Sequence, residues 1–335
     1  MLELAVFGAG AMGTNHVRVA QSLPNARIGL VVDVNRARAR SIAEPIGARW
    51  AVRPPVDLSG IDAAVVAVPT QGHVAVAGPL IEAGVPVLVE KPLAGSPSEA
   101  RALVDAATGR QSLLMVGHVE QFNTAVLELD RLVHSMIHLE ATRVGPYAPR
   151  VQDGVIIDLM IHDLDIIRRL VGTDPVEIRA MAQRTQSETE DLACALLCFE
   201  GGITASLTAS RVAQNKVRQL EITQAKSTIS VDLLRQAVTV YKTSRSEYRA
   251  QGKVRYRQSG VMEIPFLEQR GEPLFLELAH FVDCVTSGQQ PRVTGQQGLE
   301  ALELAYRVAE AAGVDPLADR PPTSRPGPTP RRQAS

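Results

Sequence analysis

Cysteine is scarce in this sequence, which has only Cys194, Cys198 and Cys284. An odd number of cysteines without C-x-x-C spacing favours neither a disulfide framework nor a structural zinc site. Cys194 and Cys198 lie four residues apart in an apolar stretch. Free cysteine packs as a small hydrophobe, so we expect both thiols to be buried in the core.

The chain also lacks an excess of charge of either sign. With 35 Lys and Arg against 36 Asp and Glu, the formal net charge is -1, which gives no indication of nucleic acid or an anionic membrane as a partner. No apolar run approaches the roughly 18 residues of a membrane-spanning helix. Residues 1–10 have no basic segment or cleavage signal before the first apolar strand. We therefore expect a cytoplasmic protein.

The length and the patterning indicate two domains. A chain of 335 residues is longer than one ordinary domain. Residues 1–120 alternate short apolar runs with helical patterns, which predicts an α/β Rossmann domain with a doubly wound parallel sheet. Residues 121–318 carry strand-like segments separated by turn signals, which predicts an α+β domain with a large, mostly antiparallel open sheet. Residues 319–335 are rich in Pro, Ser and Arg and are predicted to be disordered.

A glycine-rich turn, "GAGAMG", follows the first strand and begins a helix. Glycines at these positions allow a tight turn, a close approach of backbone to a pyrophosphate, and close packing of helix on strand. Asp33 follows the motif by 20 residues and ends the second predicted strand, where an acid accepts hydrogen bonds from ribose hydroxyls and repels a 2′-phosphate. We therefore predict NAD rather than NADP, a preference that the nearby Arg36 would soften. The predicted pyrophosphate-binding residues are Gly8, Gly10, Ala11, Met12 and Gly13.

A lysine follows the apolar strand in "VPVLVEKPL", where Glu90, Lys91 and Pro92 end the run. A lone lysine in a loop is ordinarily a solvated surface residue. Ligands of open α/β sheets bind at the carboxyl ends of the strands, however, and Lys91 lies at such an end. There its ammonium can contact a substrate oxygen, and Pro92 fixes the turn, in either the trans or the cis form.

The stretch "DLMIHDLDI" belongs to a predicted, largely buried helix over residues 156–171. On a helical wheel its polar residues form one narrow stripe, which faces either water or a pocket. The stripe comprises Asp158, His162, Asp165 and Arg169. Asp163 falls in the apolar arc instead, so we expect it to be buried with a hydrogen-bond partner. One imidazole and two carboxylates match structural zinc poorly, and we predict no metal.

Together, "GAGAMG", "AVPTQGHVAVAGPLIEAGVPVLVEKPL" and "DLMIHDLDI" resemble the Gfo/Idh/MocA oxidoreductases over residues 1–315. The resemblance implies an NAD(P)-binding Rossmann domain and a C-terminal domain whose open sheet mediates homodimers or homotetramers. It also implies a catalytic set of Lys91, Asp158 and His162 that meets across a crevice, with His73 near the nicotinamide ribose. Further predicted cofactor contacts follow the strand ends: Val68, Pro69, Thr70, Glu90, Lys91 and His118.

Oxidation of a secondary alcohol needs a base for the hydroxyl proton and a donor for the reacting oxygen. Either His162 or Lys91 can be the base, while Asp158 orients the imidazole. Residues 116–123 and 215–241 resemble the subgroup that oxidises the 3-hydroxyl of UDP-N-acetylglucosamine, although the subgroup's E-R-F-N-P reads "EQFNT" here. Other sugars, sugar phosphates and inositols remain alternative substrates, and a non-enzymatic NAD sensor is a further alternative.

A nucleotide-sugar substrate requires cations for its diphosphate and a surface for its uracil. Four cations of the second domain are candidates for the diphosphate: Arg143, Arg150, Lys216 and Arg218. Tyr147 is predicted to pack on the uracil or the sugar, and Asp165 to contact a substrate hydroxyl or to lie next to one that does. The predicted substrate-binding residues are thus Lys91, Tyr147, Arg150, Asp158, His162, Asp165 and Lys216.

Overall fold

The structure, a computed structural model, describes residues 1–53, 57–147, 153–250 and 253–317. Arg150 and the predicted tail at residues 319–335 lie outside the described residues. Two β-sheets organise the described part of the chain, one of six strands and one of eight. Both were predicted from the sequence. The domain boundaries near residues 120 and 318 stay predictions.

The first sheet is parallel throughout, with strand order β3-β2-β1-β4-β5-β6. This is the order of a doubly wound dinucleotide-binding sheet, whose switch point lies between β1 and β4. Its strands are β1 (Leu2–Phe7), β2 (Ala26–Val32), β3 (Arg49–Ala51), β4 (Ala63–Val66), β5 (Val87–Glu90) and β6 (Leu114–Gly117). The sequence predicted all of them except β3.

Helices cover this sheet where the sequence predicted them. They are α1 (Ala11–Ala20), α2 (Arg36–Ala43), α3 (His73–Glu82) and α4 (Pro97–Arg110). The start of α4 shows the local cause: Ser96 accepts a hydrogen bond from the backbone N–H of Glu99, and Pro97 occupies the first helical position. Since every β-to-α connection ends at the same edge of the sheet, the loops that carry Gly8, Asp33 and Lys91 meet there.

The second sheet has the order β14-β13-β12-β11-β7-β10-β9-β8, and only the β7–β10 pair is parallel. Its strands are β7 (Met136–Val144), β8 (Glu177–Gln183), β9 (Leu192–Cys198), β10 (Thr204–Ser210), β11 (Val217–Gln224), β12 (Ser227–Asp232), β13 (Ala237–Ala250) and β14 (Lys253–Glu263). Strand β13 extends nine residues beyond the predicted end at Tyr241 and pairs with β14, which the sequence did not predict.

The remaining helices lie between the two sheets or pack on the second. They are α5 (Thr124–Leu132), α6 (Ile161–Val171), α7 (Pro273–Ser287) and α8 (Gly295–Ala311), and a π-helical turn (Ile156–Met160) precedes α6. Helix α8 packs against α4, β6 and β8, so it ties the two halves together. At Gly298 a Cβ would lie 2.4 Å from a Val116 methyl group, and only glycine permits this approach of α8 to β6.

The outer face of the eight-stranded sheet is open. Residues alternate between buried and exposed along its strands, and Met181 and Leu196 are exposed on this face. Cys194 lies there too and is exposed, and Cys198 on the same face is half-buried, so neither is the core thiol that the sequence predicted. Strand alternation explains the error, because Ala193 and Ala195 take the inward positions. Among the described residues, no helix is long and apolar enough to cross a membrane.

Candidate active site

The glycine-rich turn has the shape that a dinucleotide requires. Gly8 has φ +97°, and a Cβ there would lie 2.4 Å from the carbonyl oxygen of Ala67. A Cβ on Gly13 would lie 1.7 Å from the carbonyl oxygen of Gly8, so α1 packs directly on the turn. Gly10 caps α1 without a side chain and has open space above it. An anion can therefore approach the free N–H groups of α1, beginning at Ala11 and Met12.

Asp33 follows β2 and is bound to this turn. Its carboxylate accepts hydrogen bonds from the backbone N–H groups of Ala9 and Asn35, both at 2.7 Å. A guanidinium nitrogen of Arg38 lies 3.7 Å from the same carboxylate, a neighbour that the sequence did not reveal. Arg36 instead lies over the ring of Trp50, 5.3 Å from its centroid. The carboxylate is thus fixed at the edge where an adenosine ribose would lie.

Lys91 and Asp158 meet across the two halves of the chain. The Lys91 ammonium donates to the carbonyl oxygen of Asp158 at 2.7 Å and to its carboxylate at 3.1 Å. Burial alone would raise the pKa of Asp158, but the charge and hydrogen bond of Lys91, together with the charges of Arg211 and Arg218, outweigh burial and lower the pKa. The pair is therefore an ion pair that fixes the ammonium at the end of β5. The Lys91–Pro92 peptide bond is cis.

His162 lies one turn after Asp158 in a strongly cationic environment. Its Nδ1 is enclosed and has no hydrogen-bond partner in the described part of the chain. Burial and then the charge of Lys91 lower its pKa well below the usual value. The imidazole is therefore neutral at pH 7 and can accept a proton. The ring of His118 stands edge-on to it, with the ring centroids 6.4 Å apart.

Asp165 continues the polar stripe into the interior rather than into solvent. Gln121 donates to its carboxylate at 2.6 Å, and His118 Nδ1 lies 3.6 Å from the same oxygen. Gln121 occupies the position where the resembling subgroup has an arginine. Because Asp165 is buried and already bonded, it orders the residues behind His162. A direct contact of Asp165 with a substrate hydroxyl stays a prediction.

Asp163 is buried, as expected, and its partner is Arg143. The Arg143 guanidinium donates two hydrogen bonds of 2.8 Å to Asp163 and one of 2.8 Å to Glu120. Burial lowers the pKa of Arg143, but the two carboxylates outweigh it and raise the pKa overall. Arg143 is only 1% exposed. Carboxylates already occupy the guanidinium, and a contact of Arg143 with a diphosphate stays a prediction.

A pocket of about 270 Å³ opens directly beside Asp158. Four cationic side chains line it: Arg143, which is already bonded to two carboxylates, and Arg211, Lys216 and Arg218. The charge of Arg218, and then burial, lower the pKa of Lys216, which shows how close these cations are. Arg211 was not predicted as a site residue, because no motif marks it. The pocket can hold an anionic group at a short distance from the Lys91–Asp158 pair.

The remaining predicted residues lie around this centre. His73 is buried, and its two ring nitrogens face the carbonyl oxygens of Pro92 and Val68, each at 3.0 Å. It thereby joins the loop after β4, which includes Pro69 and Thr70, to the Lys91 turn. Glu90 points into the interior and is hydrogen-bonded to His16 at 2.7 Å. The predicted contacts of His73, Glu90 and His118 with the cofactor stay predictions.

Tyr147 is half-buried in the loop after β7, next to the pocket residues Gly145 and Pro146. Arg150 lies outside the described residues. Both stay predicted substrate contacts.

The fold and this arrangement define an NAD-binding oxidoreductase, and comparison with known proteins identifies its family. Residues 2–118 match the profile described as "Oxidoreductase family, NAD-binding Rossmann fold", and residues 131–230 match that of the "GFO/IDH/MocA C-terminal domain". The chain belongs to the Gfo/Idh/MocA family of NAD-dependent dehydrogenases of sugars and polyols.

Two similar relatives have different substrates. The chain is 31% identical to a UDP-N-acetylglucosamine 3-dehydrogenase of Acidithiobacillus ferrooxidans, over 92% of this chain and 97% of that protein. It is 27% identical to a scyllo-inositol 2-dehydrogenase (NAD(+)) of Bacillus subtilis, over 88% of this chain and 89% of that protein. The solved structure of the Acidithiobacillus enzyme superposes with a TM-score of 0.82 at 30% identity, covering 92% of this chain and 97% of that one.

Proposed function

We propose that the chain oxidises the 3-hydroxyl of UDP-N-acetylglucosamine to a ketone. The observation that carries this proposal is the cationic pocket beside Asp158. Arg211, Lys216 and Arg218 present three positive charges to a space next to the ion pair of Lys91. A diphosphate requires such a group of donors, whereas an uncharged inositol does not. The similarity to the Acidithiobacillus enzyme agrees with this assignment.

The proposed roles follow from the protonation states at the site. NAD, when bound at the glycine-rich turn, supplies the hydride acceptor. Lys91 is a donor held at the strand end, and it hydrogen-bonds the reacting oxygen, which stabilises developing negative charge. His162 is neutral because burial and Lys91 lower its pKa, so its imidazole takes the hydroxyl proton. Asp158 holds the Lys91 ammonium in place. Of the two candidate bases we propose His162, because the Lys91 ammonium is held as a donor by Asp158; the lowered pKa leaves the imidazole unprotonated but also makes it a weaker base.

A substrate comparison tests the proposal. We expect the enzyme to form NADH with UDP-N-acetylglucosamine at a kcat/KM at least about 100-fold above that with N-acetylglucosamine or myo-inositol, because only the nucleotide sugar engages the cations. Lys216→Met should raise KM for the nucleotide sugar about tenfold, as expected for the loss of one charge-assisted contact. Lys226→Met removes an exposed lysine on the turn between β11 and β12 and serves as the control.

Inositol oxidation is the second candidate, and the similarity to the Bacillus enzyme favours it. If that is the function, myo-inositol or scyllo-inositol is the better substrate, and Lys216→Met leaves its KM unchanged. Tight NAD binding without oxidation of any of these substrates would instead indicate a sensor.

We further propose that the open face of the eight-stranded sheet forms a homodimer or homotetramer. Exposed apolar side chains on this face, among them Met181 and Leu196, support the proposal. Light scattering should give a mass of two or four chains. Leu196→Glu should reduce that mass, whereas Val34→Glu, at an exposed position near the nucleotide end of β2, should not. A monomeric wild-type protein would contradict the proposal.

A further inference from the structure

Behind the Lys91 turn, three titratable side chains from separate elements meet in the interior. They are His16 on α1, Glu90 at the end of β5 and Glu277 on α7. His16 Nε2 is hydrogen-bonded to Glu90 at 2.7 Å, and one polar atom of each residue lies within 4.8 Å of the others. His16 and Glu277 are fully buried, and Glu90 is 8% exposed. None of the three has a part in the proposed reaction.

Glu277 is the unusual member of this cluster. Both of its carboxylate oxygens are enclosed, and neither has a hydrogen-bond partner in the described part of the chain. An ionised carboxylate in that position, close to a second carboxylate, would have a large desolvation penalty and a repulsion without compensation. Two chemical solutions exist, namely a bound cation or a bound proton.

The geometry favours the proton. The 2.7 Å contact between His16 Nε2 and Glu90 is a hydrogen bond, so a proton already lies between these two groups. A metal ion would need the same imidazole nitrogen as a ligand without its proton. One additional proton on Glu277 removes the repulsion and supplies a donor that faces Glu90. Burial and then the charge of Glu90 raise the pKa of Glu277 well above its usual value.

Glu90 has little freedom beyond this cluster. On its other side it packs on Gly117 of β6, where a Cβ would lie 3.2 Å from both the Cα and a carboxylate oxygen of Glu90. Lys91 is the next residue in the chain. The orientation of Glu90 therefore sets the backbone from which the Lys91 side chain reaches Asp158.

We propose that Glu277 is a neutral carboxylic acid that, together with His16, holds Glu90 in place and thereby positions Lys91. Glu277 is thus a positioning residue, not a catalytic one. The proposal depends on the dehydrogenase activity of the family and not on the identity of the sugar.

The groups that act on Glu277 come from the elements packed around α7. His16 from α1 and Glu90 from β5 face it within the cluster. Other titratable groups on α1, on α7 itself and on the 3-10 turn before α5 are bonded elsewhere: Arg18 to Glu272, His280 to the backbone N–H of Arg292, and Glu120 to Arg143. Stability changes that depend on Glu277 can therefore be attributed to this cluster.

Thermal and denaturant unfolding test the protonation state without any substrate. If Glu277 is protonated in the folded protein and ionised in the unfolded chain, folding takes up one proton. Stability from this group is then complete below the unfolded pKa of about 4.5 and is lost as the pH rises toward the folded pKa. Relative to Glu277→Gln, the wild type should lose about a factor of ten in its folding equilibrium constant per pH unit over the range between the unfolded and the folded pKa of Glu277.

Glu272→Gln is the matched control. Glu272 precedes α7, pairs with Arg18 and is half-exposed, and hydrogen bonding to Arg18 lowers its pKa. It is ionised in both states across this pH range, so its variant should run parallel to the wild type. If the stability of Glu277→Gln also changes with pH in parallel with that of the wild type, the assignment of Glu277 as protonated is wrong. So would a divalent metal present at one equivalent in the purified wild type and absent from Glu277→Gln.

Kinetics test the positioning role. With the substrate that the wild type oxidises, Glu277→Ala should lower kcat about tenfold or more, while the dissociation constant for NADH changes less than about threefold. Glu277→Gln keeps a neutral side chain of the same size, so it should restore kcat to within about threefold of the wild type. Equal kcat losses in both variants, or no loss in either, would refute the positioning role. If Glu277→Ala does not fold, the pH comparison with Glu277→Gln still decides the protonation state.

Discussion

Replacing Arg143 by methionine should cause the largest loss of stability of any single charge removal near the site. The guanidinium is 1% exposed and makes three hydrogen bonds of 2.8 Å to two buried carboxylates, those of Asp163 and Glu120. Methionine fills much of the same volume but leaves Asp163 without its cation, while Glu120 keeps only its contact with Arg218 at 3.2 Å. Removing one partner of a buried ion pair typically costs about 3–5 kcal/mol, because the remaining charge stays buried.

The expected change in melting temperature follows from the size of the chain. For a protein of this length, a loss of about 4 kcal/mol corresponds to a decrease of roughly 6–10 °C, depending on whether one or both halves unfold together. Differential scanning calorimetry at pH 7 measures it. Arg110→Met is the control, since Arg110 is exposed and pairs with an exposed Glu82 on the helices of the first sheet. Such surface pairs contribute at most about 1 kcal/mol.

A double variant separates charge from packing. Adding Asp163→Asn to Arg143→Met removes the carboxylate that is left without its cation, so the double variant should be more stable than the sum of the two single losses predicts. If Arg143→Met melts within about 1 °C of Arg110→Met, the reasoning about the buried ion network is refuted. If the stability losses of the two single variants add up to that of the double variant, Arg143 and Asp163 are not energetically coupled.

Three further predictions concern the coenzyme and the reacting groups. Lys91→Met removes the donor to the reacting oxygen and should lower kcat by about 10²–10⁴-fold with NADH affinity retained; full turnover would exclude the assignment. His162 has a lowered pKa in the folded state, so its contribution to stability is complete above about pH 6.5 and is lost as the pH falls below that value. Between about pH 7.5 and pH 5.5, the denaturant midpoint should therefore decrease more for the wild type than for His162→Gln. Equal decreases in the two proteins would contradict this. Asp33→Ser removes the acid that faces the ribose and should reduce the preference for NAD over NADP about tenfold, whereas an unchanged ratio of kcat/KM values would place the ribose elsewhere.

Sequence periodicity predicted the two sheets because their strands are buried on one or both faces. Periodicity did not predict strands whose burial produces no alternation of apolar and polar residues in the sequence. Strand β3 has three residues, too few for alternation to be visible. The ribbon of β13 and β14 is mainly polar in sequence beyond Tyr241, so no apolar alternation marks its paired strands.

The candidate site shows the same division between local and long-range information. The motifs and the family resemblance identified Lys91, Asp158 and His162, and the structure brings Lys91 and Asp158 into contact over 67 residues of sequence. Arg211 and the partner of Asp163 were not identified, because each depends on which strand lies opposite the helix. On the helical wheel Asp163 is a polar residue in an apolar arc, which predicted a buried hydrogen-bond partner. The sequence did not indicate that this partner is Arg143.

The π-helical turn at Ile156–Met160 makes the length of this segment as important as its composition. Each π-helical hydrogen bond spans one residue more than that of an α-helix. Deleting Leu159 or Met160, which lie between Asp158 and His162, would let the turn revert to a regular helix and would change the spacing of these two side chains from four residues to three. Such a deletion would keep both residues in the chain but would move the Asp158 carboxylate away from the Lys91 ammonium. Among chains of this fold, a gap or an insertion within these five residues should therefore signal a changed activity more reliably than a substitution of the neighbouring apolar side chains.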